Sequence, residues 1–255
     1  MRLSITMCTY GHAPLLNKTL RSIFGQTRMP DQIVIVEDGN NDEGATRGVC
    51  MNLRGDLPIE YYCRKNRPNI PYCSTAIPVN CAIKKATGDT ILMMADDTMF
   101  TQPTDTENLV APVEADSNTR TYSNTWKLNP AGEDPQVFGD RGPNGEPAFM
   151  NCTRGQAIRR DLLIAMGGLD ESFKVWGGED DHLFDRLQRW NNGALKNILL
   201  RNVNLHHQWH PDGSDKTGPY PRTHSGDNLQ RLRKMYDQEN GLIANYGQDW
   251  GNLES

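Results

Sequence analysis

Residues 32–39 read QIVIVEDG, four consecutive β-branched apolar residues that break abruptly into two carboxylates and a glycine. A run that is apolar on both faces suits a strand covered from both sides, as in a parallel sheet. The flanking sequence repeats the pattern. Upstream, LSITMC (3–8) is a short apolar run ending at Thr9-Tyr10-Gly11, and Leu16, Leu20, Ile23 and Phe24 then recur at helical spacing. Downstream, IEYYC (59–63) makes a third strand. Val79, Ala82, Ile83 and Ala86 form a second helix face, with Pro78 suited to its first turn and Gly88 to its end. TILMMADD (90–97) is a fourth strand, again ending in carboxylates. Buried strands alternating with amphipathic helices predict an α/β fold, a mostly parallel central sheet flanked by helices.

Ligands of such sheets sit at the carboxyl ends of the strands. Thr9-Tyr10, Glu37-Asp38-Gly39 and Asp96-Asp97 are therefore expected to line one crevice. No G-x-G-x-x-G follows the first strand and no P-loop is present, which argues against a nicotinamide enzyme and a P-loop NTPase. From about residue 98 to 157 the pattern dissolves into Pro, Gly, Asn and Asp, and reads as a functional loop region. Regular signals return with AIRRDLLIAMGGLDESF (157–173), VWGGEDDHLFDRL (175–187) and LKNILLRNVNLHHQWHP (195–211), and a last helix carries Leu229, Leu232, Met235 and Tyr236. With no repeat and no clean linker, residues 1–255 read as a single domain in two halves, 1–97 and 98–255.

Composition narrows the classes. No apolar run approaches the roughly 18 residues of a membrane span, and the polar N-terminus does not resemble a signal peptide, so no integral membrane segment is expected. The 27 basic and 32 acidic residues give a net charge of -5, which disfavours a broad nucleic-acid footprint without excluding a local one. Six cysteines without a C-x-x-C pair read as reduced thiols, and the expected location is cytoplasmic. Asn17 and Asn151 head glycosylation-like triplets that read as chance matches.

Three constellations carry chemistry. Asp96-Asp97 ends a strand; it is either a solvated turn or a site for a divalent ion that holds a diphosphate, since Mg²⁺ and Mn²⁺ take oxygen ligands. In NLHHQWHP, strand alternation puts His206 and His207 on opposite faces, so they should not serve together. One imidazole added to a carboxylate suits Mn²⁺ better than Ca²⁺. In VWGGEDDHLFDRL, Leu183, Leu187 and Trp190, with Phe184, mark a helix whose first turn carries Glu179, Asp180 and Asp181. These acids complement the positive helix end, and an ionised carboxylate there is also what a general base requires. Gly177 and Gly178 allow close approach of a ligand, and Trp176 offers a ring face to a sugar.

The stretch SITMCTYGHAPLLNKTLRSIFGQTRMPDQIVIVEDGNNDE (4–43) resembles the start of a family 2 glycosyltransferase of the GT-A fold. NCAIKKATGDTILMMADDT (80–98) is similar to that family's approach to its metal-binding D-x-D motif. AIRRDLLIAMGGLDESFKVWGGEDDHLFDRL (157–187) resembles the acceptor-side half, with the W-G-G-E-D region shared by β-1,4-galactosyltransferases and chondroitin polymerases, and HHQWHP resembles the H-Q-E-P stretch of the latter. The resemblance implies that Thr9, Tyr10, Glu37 and Asp38 hold uracil and ribose, that Asn80 lies on the nucleotide-sugar side, and that Asp96 contacts the ribose. It implies Asp97 and His207 as metal ligands and Asp180 as catalytic base. Glu179 and Asp181, with Trp176, Gly177 and Gly178, fall where the family contacts the acceptor or orders the site. Two positions depart: Val79 replaces an Arg, and Ala95 replaces the first Asp of D-x-D.

The implied reaction is transfer from a UDP-sugar to an acceptor hydroxyl of a glycan or other compound, with Mn²⁺ or Mg²⁺ as cofactor. Inversion is implied because Asp180 follows Glu179, where retaining relatives carry Asn. Three rivals stand beside it. A non-catalytic sugar-nucleotide-binding relative would lose the acids, yet Asp97, Asp180 and His207 are all present. A sugar-nucleotide nucleotidyltransferase would carry a Gly-rich N-terminal signature that is missing. A phage-type DNA-base glycosyltransferase is opposed by the net charge, with LQRLRK (229–234) only a weak basic strip.

Overall fold

The computed structural model describes residues 1–39, 42–65, 75–133, 136–137, 154–173, 178–210 and 243–253. The last helix expected around Leu229 falls outside them. In the first half, strands β1 (Leu3–Thr9), β2 (Gln32–Glu37), β3 (Ile59–Cys63) and β4 (Thr90–Met93) alternate with helices α1 (Ala13–Arg21), α2 (Ala45–Leu53) and α3 (Ala76–Lys85). All four strands pair in parallel, in the order β3-β2-β1-β4. Their side chains alternate between two cores. Leu3, Ile5, Ile33 and Ile35 pack on the side of α1 and α2, while Val34, Val36 and Ile91 pack on the side of α3. The double-sided apolar run of residues 33–36 is thus spent on both faces of one sheet.

At the opposite end of these strands from the crevice lies a buried polar layer. Ser4 Oγ donates to Gln32 at 2.7 Å and accepts from the Gly88 amide at 2.9 Å. Gly88 does not cap α3, which ends at Lys85. A Cβ there would lie 2.6 Å from the Ser4 nitrogen, so glycine is required for close approach of the backbone. Helix α1 likewise ends at Arg21, earlier than its apolar spacing suggests. Ile23 still enters the core from the following turn, whereas Phe24 is 39% exposed.

Beyond β4 the sheet becomes mixed. Its order continues β8-β6-β9-β5, where β8 (Gln156–Arg159) runs antiparallel to β4 and β6 (Thr119–Lys127), and β9 (Lys196–His207) runs parallel to β6. The short β5 (Thr98–Met99) pairs with the end of β9, and β7 (Gln136–Val137) with the end of β6. Helices α4 (Asp105–Ala115), α5 (Arg160–Ala165) and α6 (Glu179–Arg189) complete the covering.

The expectation of a loop region over 98–157 is corrected by β5, α4 and β6. Helix α4 offers only Leu109, Val110 and Val113 to the core and contains Pro112, so its periodicity is weak. Strand β6 reads TRTYSNTWK because hydrogen bonds hold some of its buried polar side chains: Thr121 donates to the Leu109 carbonyl, and Arg120 to Gln156 and Asn197. Cys8, Cys50, Cys63 and Cys81 are free thiols. No helix among the described residues is long and apolar enough to cross a membrane.

Candidate active site

The carboxyl ends of β1, β2, β3 and β4 meet α6 at one edge of the sheet. Cys8, half-buried at the end of β1, registers the meeting: burial raises its thiol pKa well above normal, and the charges of Asp96, Asp38, Asp180 and Glu179 raise it further. One thiol thus feels carboxylates that follow β2, follow β4 and open α6.

Asp97 and Asp96 diverge from the end of β4. Asp97, 6% exposed, turns toward β9, where His207 Nε2 lies 3.0 Å and His210 Nε2 3.3 Å from its Oδ2. Thr98 Oγ1 donates to Oδ1 at 3.1 Å, and the Gln208 amide to the Asp97 carbonyl at 2.8 Å. Burial alone would push this carboxyl up. Hydrogen bonds from the two imidazoles outweigh it and hold Asp97 well below the usual carboxylate range. The ligating atoms of Asp97, His207 and His210 all lie within 4.8 Å of one another, a set that could hold a metal ion. His206 points to the other sheet face, as alternation requires, and burial lowers its pKa.

His210 and His12 were not legible as site residues. Alternation would pair His207 with Trp209, but β9 ends at His207 and the chain turns, returning His210 to Asp97. His12 opens α1, and its Nδ1 lies 3.2 Å from Asp96 Oδ2 while its ring centroid lies 5.4 Å from that of His210. The hydrogen bond with Asp96 raises the His12 pKa against the opposing effect of burial. Thr19 Oγ1 donates to the Asp96 carbonyl at 2.8 Å.

On the nucleotide side, Thr9 and Asp38 are joined through the Asp38 amide and the Thr9 carbonyl at 2.9 Å. Thr9 is buried and its hydroxyl has no hydrogen-bond partner among the described residues, while Tyr10 is half-buried. Asp38 is fully buried and pairs with Arg64 at 3.2 Å. Arg64 directly follows β3, and its own strand end was the available signal. Glu37 is also fully buried; it accepts a hydrogen bond from Tyr61, and its Oε1 has no partner among the described residues. Burial raises its pKa, against the Tyr61 hydrogen bond. Glu37 is thus tied to β3 through Tyr61.

Asn80, expected on the nucleotide-sugar side, lies in α3 against the 167–171 loop. It is fully buried, and its amide clamps Leu169 from both sides at 2.8 and 2.7 Å and reaches Glu171 at 2.8 Å. Gly168, at φ +65°, leaves the room: a Cβ would come 2.3 Å from the Asn80 oxygen. Asn80 thus anchors the 167–171 loop to α3. Gly178 caps α6 at φ +90°, a conformation glycine adopts without strain. Of the three acids it precedes, Glu179 is buried and accepts from Thr75 Oγ1 at 2.6 Å, Asp180 is half-buried and Asp181 exposed. Trp176 and Gly177 lie outside the described residues.

Comparison with known proteins bears on the family and the fold. The family model described as glycosyl transferase family 2 matches residues 4–163, more than half of the sequence. The chain belongs to glycosyl transferase family 2. A second model, described as the N-terminal domain of galactosyltransferase, matches residues 156–197, which hold β8, α5 and α6. An uncharacterized glycosyltransferase, YwdF, of Bacillus subtilis is 34% identical over 115 residues, covering 45% of this chain and 39% of the relative. A glucosyl-dolichyl phosphate glucuronosyltransferase of Haloferax volcanii is 25% identical over 185 residues, covering 67% and 56%. The chain thus spans about two fifths and somewhat over half of these relatives' lengths. Among solved structures, GalNAc-T7 with UDP, GalNAc and Mn²⁺ superposes with a TM-score of 0.72 at 15% identity, covering 94% of this chain and 49% of that one. Residues 1–349 of TarS from S. aureus superpose with a TM-score of 0.62 at 16% identity, covering 94% and 66%. The fold is that of GT-A glycosyltransferases.

Proposed function

We propose that this protein transfers a sugar from a UDP-sugar to an acceptor hydroxyl, with inversion and with help from a divalent metal. The observation that carries the reading is the Asp97–His207–His210 cluster, at the same sheet edge as Asp38 and the acidic start of α6. Membership of glycosyl transferase family 2 supports the reaction class. The likeness to GalNAc-T7, crystallised with UDP and Mn²⁺, supports the nucleotide and the metal.

The donor set fits Mn²⁺ or Mg²⁺: one buried carboxylate and two imidazoles, with nitrogen ligands favouring Mn²⁺. When bound there, such an ion supplies Lewis-acid stabilisation of the departing diphosphate. Thr9 and Asp38 hold the nucleoside, with Arg64 fixing the Asp38 carboxylate. Asp180, at the positive end of α6, accepts the proton of the acceptor hydroxyl. The freed oxygen attacks the anomeric carbon opposite the phosphate, and the carbon–oxygen bond to the diphosphate breaks. Glu179, tied to Thr75, keeps the helix start in place.

A donor screen with UDP-, GDP- and dTDP-sugars, read as hydrolysis and transfer with and without Mn²⁺, tests the reading. Turnover with UDP-sugars that stops in EDTA is expected. Equal turnover in EDTA removes the metal, and no nucleoside diphosphate binding at all removes the function.

A further inference from the structure

Beyond the metal cluster, the ends of β6 and β9 build a second polar surface. On β6, Arg120 faces α6, its guanidinium 3.6 Å over the Phe184 ring, while Thr121 faces α4 through the Leu109 carbonyl. The two-residue period then turns Asn124 and Trp126 to the α6 side. A register shift intervenes: Ser123 pairs with Leu200, but Asn124 pairs with Asn204 and Trp126 with His206. The resulting bulge in β9 sets Asn204 and His206 beside Asn124 and Trp126 on the face whose covering helix begins with Glu179 and Asp180.

The surface is prepared for a ligand. The Trp126 indole N–H donates to Asn204 Oδ1 at 2.9 Å, which fixes the ring, and all four residues are half-buried. Among the described residues the Asn204 amide NH₂, the Asn124 Oδ1 and the His206 ring make no hydrogen bond with the protein, although Asn124 Nδ2 approaches Asn204 Oδ1 at 3.4 Å. Asparagine is a poor strand former, so two of them side by side in a sheet are not explained by local preference. An oriented aromatic face ringed by neutral donors and acceptors suits a ligand with one apolar face and several hydroxyls. The next pair along the strands is Lys127 with His207, which adjoins the metal cluster.

We infer that Asn124, Trp126, Asn204 and His206 form the subsite for the acceptor, and that the acceptor end bound there is an uncharged sugar ring. This inference rests on the glycosyl-transfer reading above.

The test uses the full chain with UDP and Mn²⁺ present. Saturation-transfer NMR is recorded against methyl β-glucoside, methyl β-galactoside and methyl β-N-acetylglucosaminide, and UDP affinity is measured by calorimetry on the same samples. At least one glycoside is expected to bind. Trp126→Ala should weaken it about tenfold and Trp126→Phe much less, with UDP affinity unchanged in both. Asn124→Leu, which leaves the indole bond to Asn204 in place, should also weaken it and decides the matter if Trp126→Ala does not fold. Glycoside affinity unchanged in a folded Trp126→Ala variant overturns the subsite, as does a wild type that binds UDP but none of the glycosides. A wild type that fails to bind UDP overturns the transferase reading itself.

Discussion

Replacing Asp97 by asparagine separates the metal site from the fold around it. The amide keeps the side-chain shape and the Thr98 bond but loses the charge that faces His207 at 3.0 Å and His210 at 3.3 Å. The variant side chain is neutral and stays within hydrogen-bond reach of both imidazoles. The cost is then that of weakened hydrogen bonds to a charged group, about 1.5–3 kcal/mol, instead of the roughly 3–5 kcal/mol of a broken buried ion pair. At about 2–4 °C per kcal/mol for a chain of this size, the melting temperature in EDTA should fall by about 3–12 °C. Because the Asp97 carboxyl is held below its unfolded value, its contribution is full at neutral pH and fades as pH falls through the folded pKa. The gap between wild type and variant should narrow in acid accordingly. With Mn²⁺ and UDP each near 100 times its dissociation constant, the wild type should gain about 2.7 kcal/mol per ligand and Asp97→Asn far less. Thermal melts at neutral and acid pH, with EDTA and with Mn²⁺ plus UDP, read all of this. Unchanged melting in EDTA refutes the pairing with the histidines, and a full Mn²⁺-UDP gain refutes Asp97 as a ligand.

Asp180→Asn should lower transfer by at least about 10²-fold while UDP-sugar affinity stays within a few-fold, and Glu179→Gln, which can keep its bond to Thr75, should lose less. If paired calorimetry and transfer assays rank the two variants the other way, the base is Glu179. Arg64→Leu removes the guanidinium that pairs with the buried Asp38 carboxylate and should cost about 3–5 kcal/mol in urea unfolding. A loss below about 1 kcal/mol would mean that the Arg64 pair does not hold Asp38 in place. His182 is fully buried with neither ring nitrogen hydrogen-bonded among the described residues, and burial, with the Arg186 charge, lowers its pKa to about 4. The unfolded chain takes up that proton near its ordinary value of about 6.5, so folding stability should fall by up to about 3 kcal/mol as pH drops from there toward 4. His182→Leu should flatten that portion of the stability–pH curve, and an unflattened curve assigns the slope to other groups.

The first half of the fold was readable from local pattern because its strands are buried on both faces. QIVIVEDG and TILMMADD must be apolar throughout, and the change to carboxylates marks where each strand leaves the sheet. The acidic start of α6 and the opposed faces of His206 and His207 follow from helix and strand periods alone. The second half hides its periodicity. Strand β6 holds buried Thr121 and Arg120 by hydrogen bonds instead of by apolar composition, and α4 is interrupted by Pro112, so neither shows the pattern a core-facing element usually carries. What tertiary structure alone decided are the partnerships. His210 reaches Asp97 only because β9 ends and the chain turns back. Arg64 reaches Asp38 because β3 and β2 end side by side, and Asn80 closes on Leu169 because α3 packs against the 167–171 loop. Sequence periodicity assigns a side chain to a face; which groups then meet across faces is set by how the elements pack, and no local pattern encodes that.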